Sequence, residues 1–180
     1  KRRMGAIEVI KSDLVRYAGT ISTKGFIKTY VKEAGFRFSV AFGLVNAGGV
    51  LKLLGIILWP LRNHQQIQIL RKTIIGYGLY LSHGGPVVVN PSTVIGHTCN
   101  LSPFVTIGSN EGQAAVLGYS VYFGTNTCIV ADVCIGDNAT IGAGSVVTKD
   151  IPSTATAAGN YAKVLNFNNP GRYIQNRYLD

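Results

Sequence analysis

From residue 75 to residue 147 the chain places a large apolar residue at every sixth position. The register runs Ile75, Leu81, Val87, slips by two, and resumes at Val89, Ile95, Leu101 and Ile107. After a break it continues through Leu117, Phe123, Ile129, Ile135, Ile141 and Val147. Gly follows the opening residue at Gly76, Gly96, Gly108, Gly118, Gly124, Gly136 and Gly142. Four places on sits a small or branched residue: Thr93, Cys99, Val105, Val121, Thr127, Val133, Ala139, Ser145. A helix face repeats every 3.6 residues and a strand face every 2. A period of six is one short strand plus one tight turn. Three such strands close a triangular coil, and coils stack in parallel around aliphatic ladders. The ladders and most of the glycines are therefore predicted to be architecture.

The chain before the repeats lacks this period. Ser12 and Asp13 ahead of Leu14, Tyr17 and Ala18 predict a short helix. Residues 22–35 predict a second, with Phe26, Ile27, Tyr30 and Val31 on one face. Residues 36–61 are markedly apolar, interrupted by Arg37, Asn46, Gly48, Gly49 and Lys52. The most apolar piece, 50–61, is shorter than the ~20 residues a spanning helix needs. Two readings stand for it. One is a helix packed on the β-helix or on a neighbouring subunit. The other is an interfacial helix in peripheral contact with a membrane, with Lys52, Arg62, Arg71 and Lys72 as anchors.

A chain of 180 residues with 47% hydrophobic content is read as one globular unit with a helical cap. The divisions are 1–70 for the helical region, 71–165 for the repeats and 166–180 for a tail. The net charge of +9 points to an anionic partner. Lys1, Arg2 and Arg3 precede the only Met, Met4, and without them the charge is still +6. No dense basic stripe or recognition motif is present, so nucleic acid is not the expected partner. A phosphorylated cofactor or an anionic membrane surface fits better. No apolar run ending in a cleavage site follows the basic start. Cys99 falls at an inward position, while Cys128 and Cys134 fall on successive faces. That arrangement predicts reduced thiols and a cytoplasmic protein, at most at the inner face of the membrane.

The stretch Gly76-Tyr77-Gly78-Leu79-Tyr80-Leu81-Ser82-His83-Gly84-Gly85-Pro86-Val87-Val88-Val89-Asn90-Pro91 resembles the active-site coil of the serine O-acetyltransferases and their capsule- and exopolysaccharide-modifying relatives. These are hexapeptide-repeat acyltransferases. The resemblance implies a mainly β fold, a left-handed parallel β-helix with an α-helical N-terminal cap, acting as a homotrimer. The handedness comes from the family and departs from the usual right-handed crossover. In the family the His at the position of His83 is the general base. An imidazole, with an ordinary pKa near about 6.5, is suited to removing a hydroxyl proton near neutral pH.

The stretch Ile141-Gly142-Ala143-Gly144-Ser145-Val146-Val147-Thr148-Lys149-Asp150-Ile151-Pro152 resembles the last coil of acetyl-CoA-dependent members. Thr156-Ala157-Ala158-Gly159-Asn160-Tyr161-Ala162-Lys163-Val164 resembles the segment that closes it. The resemblance implies acetyl-CoA as co-substrate, with Thr125, Ala143 and Thr148 along its arm. Lys149 and Lys163 would lie near the nucleotide phosphates, where Lys acts as a point charge. Tyr161 stands where the family usually has Pro, which alters the loop or adds an aromatic contact to adenine. His97, third in its repeat, is expected to face solvent. His64, His83 and His97 lack the spacing of a zinc site, so no metal is expected.

Several groups of the serine enzymes are missing. Ser82 replaces the Asp before the catalytic His, and Gln68 replaces the Asp fifteen residues before it. The loop Ser109-Asn110-Glu111-Gly112-Gln113-Ala114-Ala115 lacks their Arg-His pair. Without those groups a zwitterion's charges would stay unpaired. Gln68, Ser82 and Asn90 would suit a neutral sugar hydroxyl, and Gln68 would orient His83 without adding charge. The reading is thus an O-acetyltransferase acting on a small-molecule or glycan acceptor, first a sugar of polysaccharide biosynthesis. Serine is the alternative within the same chemistry, and an inactive β-helix scaffold is the alternative outside it.

Overall fold

The computed structural model describes residues 4–61, 66–109, 112–130 and 132–178. Four helices come first: α1 (Ala6–Ala18), α2 (Thr23–Lys32), α3 (Ala34–Val45) and α4 (Gly49–Leu58). A 3-10 turn, Trp59–Leu61, follows α4. Fifteen short strands follow: β1 (Ile67–Ile69), β2 (Ile74–Ile75), β3 (Tyr80–Leu81), β4 (Val87–Val89), β5 (Val94–Ile95), β6 (Asn100–Leu101), β7 (Val105–Ile107) and β8 (Val116–Leu117). The rest are β9 (Tyr122–Phe123), β10 (Cys128–Ile129), β11 (Cys134–Ile135), β12 (Thr140–Ile141), β13 (Val146–Val147), β14 (Thr156–Ala158) and β15 (Lys163–Asn166).

Every third strand pairs in parallel, which makes three faces. The first is β1-β4-β7-β10-β13, the second β2-β5-β8-β11, and the third β3-β6-β9-β12-β14-β15. The six-residue ladder is the interior. Leu81, Leu101, Phe123, Ile129, Ile141 and Val147 are all essentially inaccessible. Ile75 is only half-buried because β2 is an edge strand with no coil above it. The small residues four places on fill the interior beside them, and Cys99, Val121 and Ala139 are fully buried. The last pair, β14 with β15, is antiparallel and ends the stacking. The β-helix starts at Ile67, ahead of the expected boundary at 71, because β1 pairs with β4.

The helical cap differs in detail from the sequence reading. Ser12 and Asp13 lie in the middle of α1 and do not cap its start. The span 22–35 breaks at Glu33, which separates α2 from α3, and Gly35 belongs to α3. Ser22 caps α2 by accepting from the Gly25 N–H at 3.0 Å. The apolar run 36–61 is two helices and a 3-10 turn. Gly55 of α4 is pressed on α3, where a Cβ would lie 2.2 Å from the Val45 nitrogen. The outward residues Val50, Leu53 and Ile57 are exposed. Among the described residues no helix is long and apolar enough to cross a membrane. Lys52 is exposed on α4, Arg71 and Lys72 are exposed before β2, and Arg62 lies outside the described residues.

The tail runs back over the third face. The Gly171 N–H donates to the Asn138 carbonyl at 2.9 Å, and the Tyr173 ring lies 4.8 Å from that of Tyr122. Asn176 Nδ2 donates to the Arg16 carbonyl at 3.4 Å, and Tyr178 to Glu8 at 3.2 Å. Both ends of the described chain therefore meet over one face.

Phe123→Ala removes the largest ladder side chain from a rigid stack. It is expected to lower the free energy of unfolding by about 3–5 kcal/mol. Chemical denaturation measures this; a loss below about 1 kcal/mol would mean that the coils do not hold the ring as described.

Candidate active site

The corner that joins the third face to the first is short in the regular coils. Ser102 to Phe104 joins β6 to β7 with three residues, whereas Ser82 to Pro86 joins β3 to β4 with five. The two-residue slip in the repeat is this insertion. It forms a single turn, Ser82–Gly84, in which His83 and Gly84 both take φ of 56°. The same left-handed geometry recurs at the regular corners, as at Thr98, Phe104 and Asn126, so it is how this coil turns. Gly84 is required here, since a Cβ would lie 2.5 Å from that of Ala34. The start of α3 is thus pressed against the corner from behind. Gly35 closes the contact, because a Cβ there would lie 2.4 Å from the Leu81 carbonyl oxygen. The backbone of the turn is fixed while the His83 side chain is exposed.

Below His83 the same corner repeats as Pro103, Thr125 and Ala143. The coils are tied together along it, Asn126 N–H to the Pro103 carbonyl at 3.0 Å and Gly144 N–H to the Thr125 carbonyl at 2.9 Å. Parallel strands repeat at about 4.8 Å, so Thr125 lies two steps and Ala143 three steps from His83 along one edge. Gly124 and Gly142 keep the edge smooth: a Cβ on Gly124 would lie 2.5 Å from the Ala143 nitrogen. A cavity of about 820 Å³ follows this edge, lined by Ser82, His83, Pro103, Thr125, Gly142 and Ala143. Its other wall is Arg16, Tyr17, Tyr80, Asn100, Tyr122 and the tail residues Tyr173, Gln175 and Asn176.

The structure therefore brings His83, Ser82, Thr125 and Ala143 into one groove. Gln68 is exposed at the centre of β1, in register with Val88. Asn90 lies at the far end of β4 from His83, where its Oδ1 accepts from the Ser92 N–H and hydroxyl at 2.9 Å. It builds a turn there, and within one chain it does not meet His83. Thr148 and Lys149 follow β13 at that same far corner, and Lys163 is exposed on β15. Of the other histidines, His64 lies outside the described residues. His97 does not face open solvent. It stacks between Tyr77 at 4.0 Å and Tyr119 at 5.1 Å, and its Nδ1 accepts from the Tyr77 N–H. Among the described residues no group of His, Cys, Asp and Glu is placed to hold a metal. In the loop after β7, Ser109 donates to the Gln113 carbonyl at 2.8 Å, while Asn110 and Glu111 lie outside the described residues.

The sequence reading missed α1 as part of the site. Strand β3 and the turn that leads into it form an edge, and their upward N–H groups need acceptors. Gly78 donates to Ser12 Oγ at 3.0 Å, Leu79 to Asp13 Oδ1 at 2.9 Å, and Leu81 to Tyr17 Oη at 2.9 Å. The Tyr17 hydroxyl in turn donates to the Leu81 carbonyl at 3.2 Å. The signal was available as Ser12, Asp13, Arg16 and Tyr17, polar groups that share one face of α1. Burial pushes the Asp13 carboxyl up to about 7, against the backbone hydrogen bonds that pull it down. Burial also pushes the Cys99 thiol up to about 12, which suits its place as a small core residue.

No family model matches the chain. Over 95 residues it is 39% identical to the mitochondrial serine acetyltransferase 3 of Arabidopsis thaliana, covering 51% of this chain and 24% of that protein. Over 95 residues it is 36% identical to a serine acetyltransferase of Helicobacter pylori, covering 51% of this chain and 56% of that one. The chain thus spans between about a quarter and little more than half of these relatives. The crystal structure of soybean serine acetyltransferase complexed with serine superposes with a TM-score of 0.72 at 27% identity, over 89% of this chain and 70% of that one. These similarities fix the fold class as a left-handed parallel β-helix with an N-terminal helical region.

Asp13 makes stability depend on pH in a defined direction. Its folded value, about 7, lies above the ordinary 3.8, so the folded protein holds this proton more tightly. The stability it contributes is complete below about pH 4 and is lost as pH rises toward about 7. The unfolding free energy of wild type minus that of Asp13→Asn should fall across that window and be flat above it. A difference that rises with pH would overturn the assignment.

Proposed function

We propose that this chain is an acetyl-CoA-dependent O-acetyltransferase with His83 as general base. The observation that carries the reading is the single groove in which His83, on its enlarged corner, shares an edge with Thr125 and Ala143. A thioester arm laid along that edge places its acyl carbon near the imidazole. His83 takes the proton of the acceptor hydroxyl, and the oxygen bonds to the thioester carbonyl carbon. Backbone N–H groups hold the tetrahedral oxyanion until the C–S bond breaks. The CoA thiolate leaves and takes up the proton from the imidazolium. No acyl-enzyme is formed. Lys149 and Lys163 serve the nucleotide phosphates.

L-serine is the first acceptor to consider, because serine acetyltransferases recur among the similar proteins and structures. A sugar hydroxyl of capsule or exopolysaccharide biosynthesis is the second. It is favoured by the uncharged Ser82 and Gln68 at positions where the serine enzymes carry Asp. The working unit is a homotrimer, a reading supported by the outward stripe Ile74, Val94, Val116 and Cys134 on the second face. Ile74 is 64% exposed and Val116 43%.

His83→Ala is expected to lower turnover by roughly 10²-fold or more while CoA still binds. The assay is free-thiol release from acetyl-CoA with L-serine and a panel of sugars; undiminished release would remove His83 from the mechanism. Lys149→Ala and Lys163→Ala should raise the Michaelis constant for acetyl-CoA more than they lower turnover. The reverse pattern would misplace the nucleotide.

A further inference from the structure

Arg16 is the charged group of the groove that acetyl transfer leaves unused. It is 4% exposed, yet it borders the cavity that holds Ser82 and His83. A guanidinium carries five N–H donors and no acceptor. Nη2 donates to Asn100 Oδ1, but among the described residues Nε and Nη1 are buried with no acceptor. Among the described residues no carboxylate lies within ion-pair distance. Asp13, one turn back along α1, spends its Oδ1 on the Leu79 N–H. The Tyr80 ring lies 5.9 Å from Cζ and offers its face, which attracts a cation but accepts no charge-assisted hydrogen bond. A desolvated, half-used guanidinium beside a ligand groove is short of one anion.

The placement says which ligand supplies it. Tyr80 lies against Arg16, and His83 follows three residues later along the same strand and turn. Their Cα atoms are at most about 11 Å apart. Arg16, Tyr80, Ser82 and His83 line one cavity, so a single small acceptor can meet both the guanidinium and the imidazole. A carboxylate offers two acceptor oxygens and a full charge, the geometry a guanidinium matches best.

We propose that Arg16 receives a carboxylate carried by the acceptor, so that the acetylated molecule is a hydroxy acid with its hydroxyl at His83. This rests on the transferase reading and names its acceptor class. It also supplies, from the N-terminal helix, the cation that the loop after β7 lacks. The shared chemistry is met by serine and by a uronic acid.

The test is calorimetric titration of the intact protein with two matched pairs, L-serine against serinol and D-glucuronate against D-glucose. In at least one pair the carboxylate should bind tenfold or more tighter than its neutral partner. Arg16→Gln should erase that preference, Arg16→Lys should keep part of it, and both should bind CoA as the wild type does. The pair that discriminates identifies the source of the carboxylate. Equal affinity within both pairs, undetectable binding by all four, or a preference that survives in Arg16→Gln would each overturn the proposal. Should Arg16→Gln fail to fold, the wild-type pairs and Arg16→Lys decide. Thiol release separates the two readings. A carboxylate preference without release from acetyl-CoA sinks the transferase reading alone, and release to neutral acceptors without a preference sinks Arg16 alone.

Discussion

A stack of parallel coils has an unsatisfied edge at its first coil, and closing that edge organises the rest of this molecule. Each upward N–H of β3 and of the turn leading into it would lose a hydrogen bond on burial, a loss of order 1–3 kcal/mol per group. The chain meets the demand with side chains. Ser12, Asp13 and Tyr17 of α1 accept from Gly78, Leu79 and Leu81, as a preceding strand would. Helix spacing then puts Arg16 on the same face, above Tyr80 and against Asn100. The Arg16 wall of the groove is thus a by-product of edge capping.

The other wall comes from a departure from regularity. The regular corners carry Pro103, Thr125 and Ala143 at the position of His83, and none of these offers an imidazole. Two extra residues push the first corner outward, and α3 holds it there through Gly35 and Gly84. Rigidity of the turn and freedom of the imidazole coexist because the packing acts only on backbone.

Much of this was legible in the sequence, for physical reasons. The ladder from Leu117 to Val147 obeys a strict period, because every coil must fill the same cross-section, and it is buried as the period requires. The slip after Val87 was visible as a change of register, and it marks the His83 corner. The cap was less legible. Ser12 and Asp13 look like a helix start because their side chains satisfy N–H groups, and here they do so for the turn leading into β3, 66 residues away. His97 looked solvent-facing because a corner position points outward, yet the same corner on neighbouring coils supplies Tyr77 and Tyr119 to stack on it. Asn90 shares a coil with His83, but a triangular coil sends its two ends to different corners. Periodicity reports what points inward; it says little about which outward groups meet across coils or across elements.

The antiparallel pairing of β14 with β15 closes the far end of the stack as α1 closes the near one. On that third face, strand addition is blocked at both ends. Whole coils inserted between β7 and β12 would lengthen the edge between His83 and Ala143 and leave α1, Arg16 and the first corner untouched. On the proposed reading, the end of the groove that receives the acyl group and the end that holds the arm delivering it are separable modules.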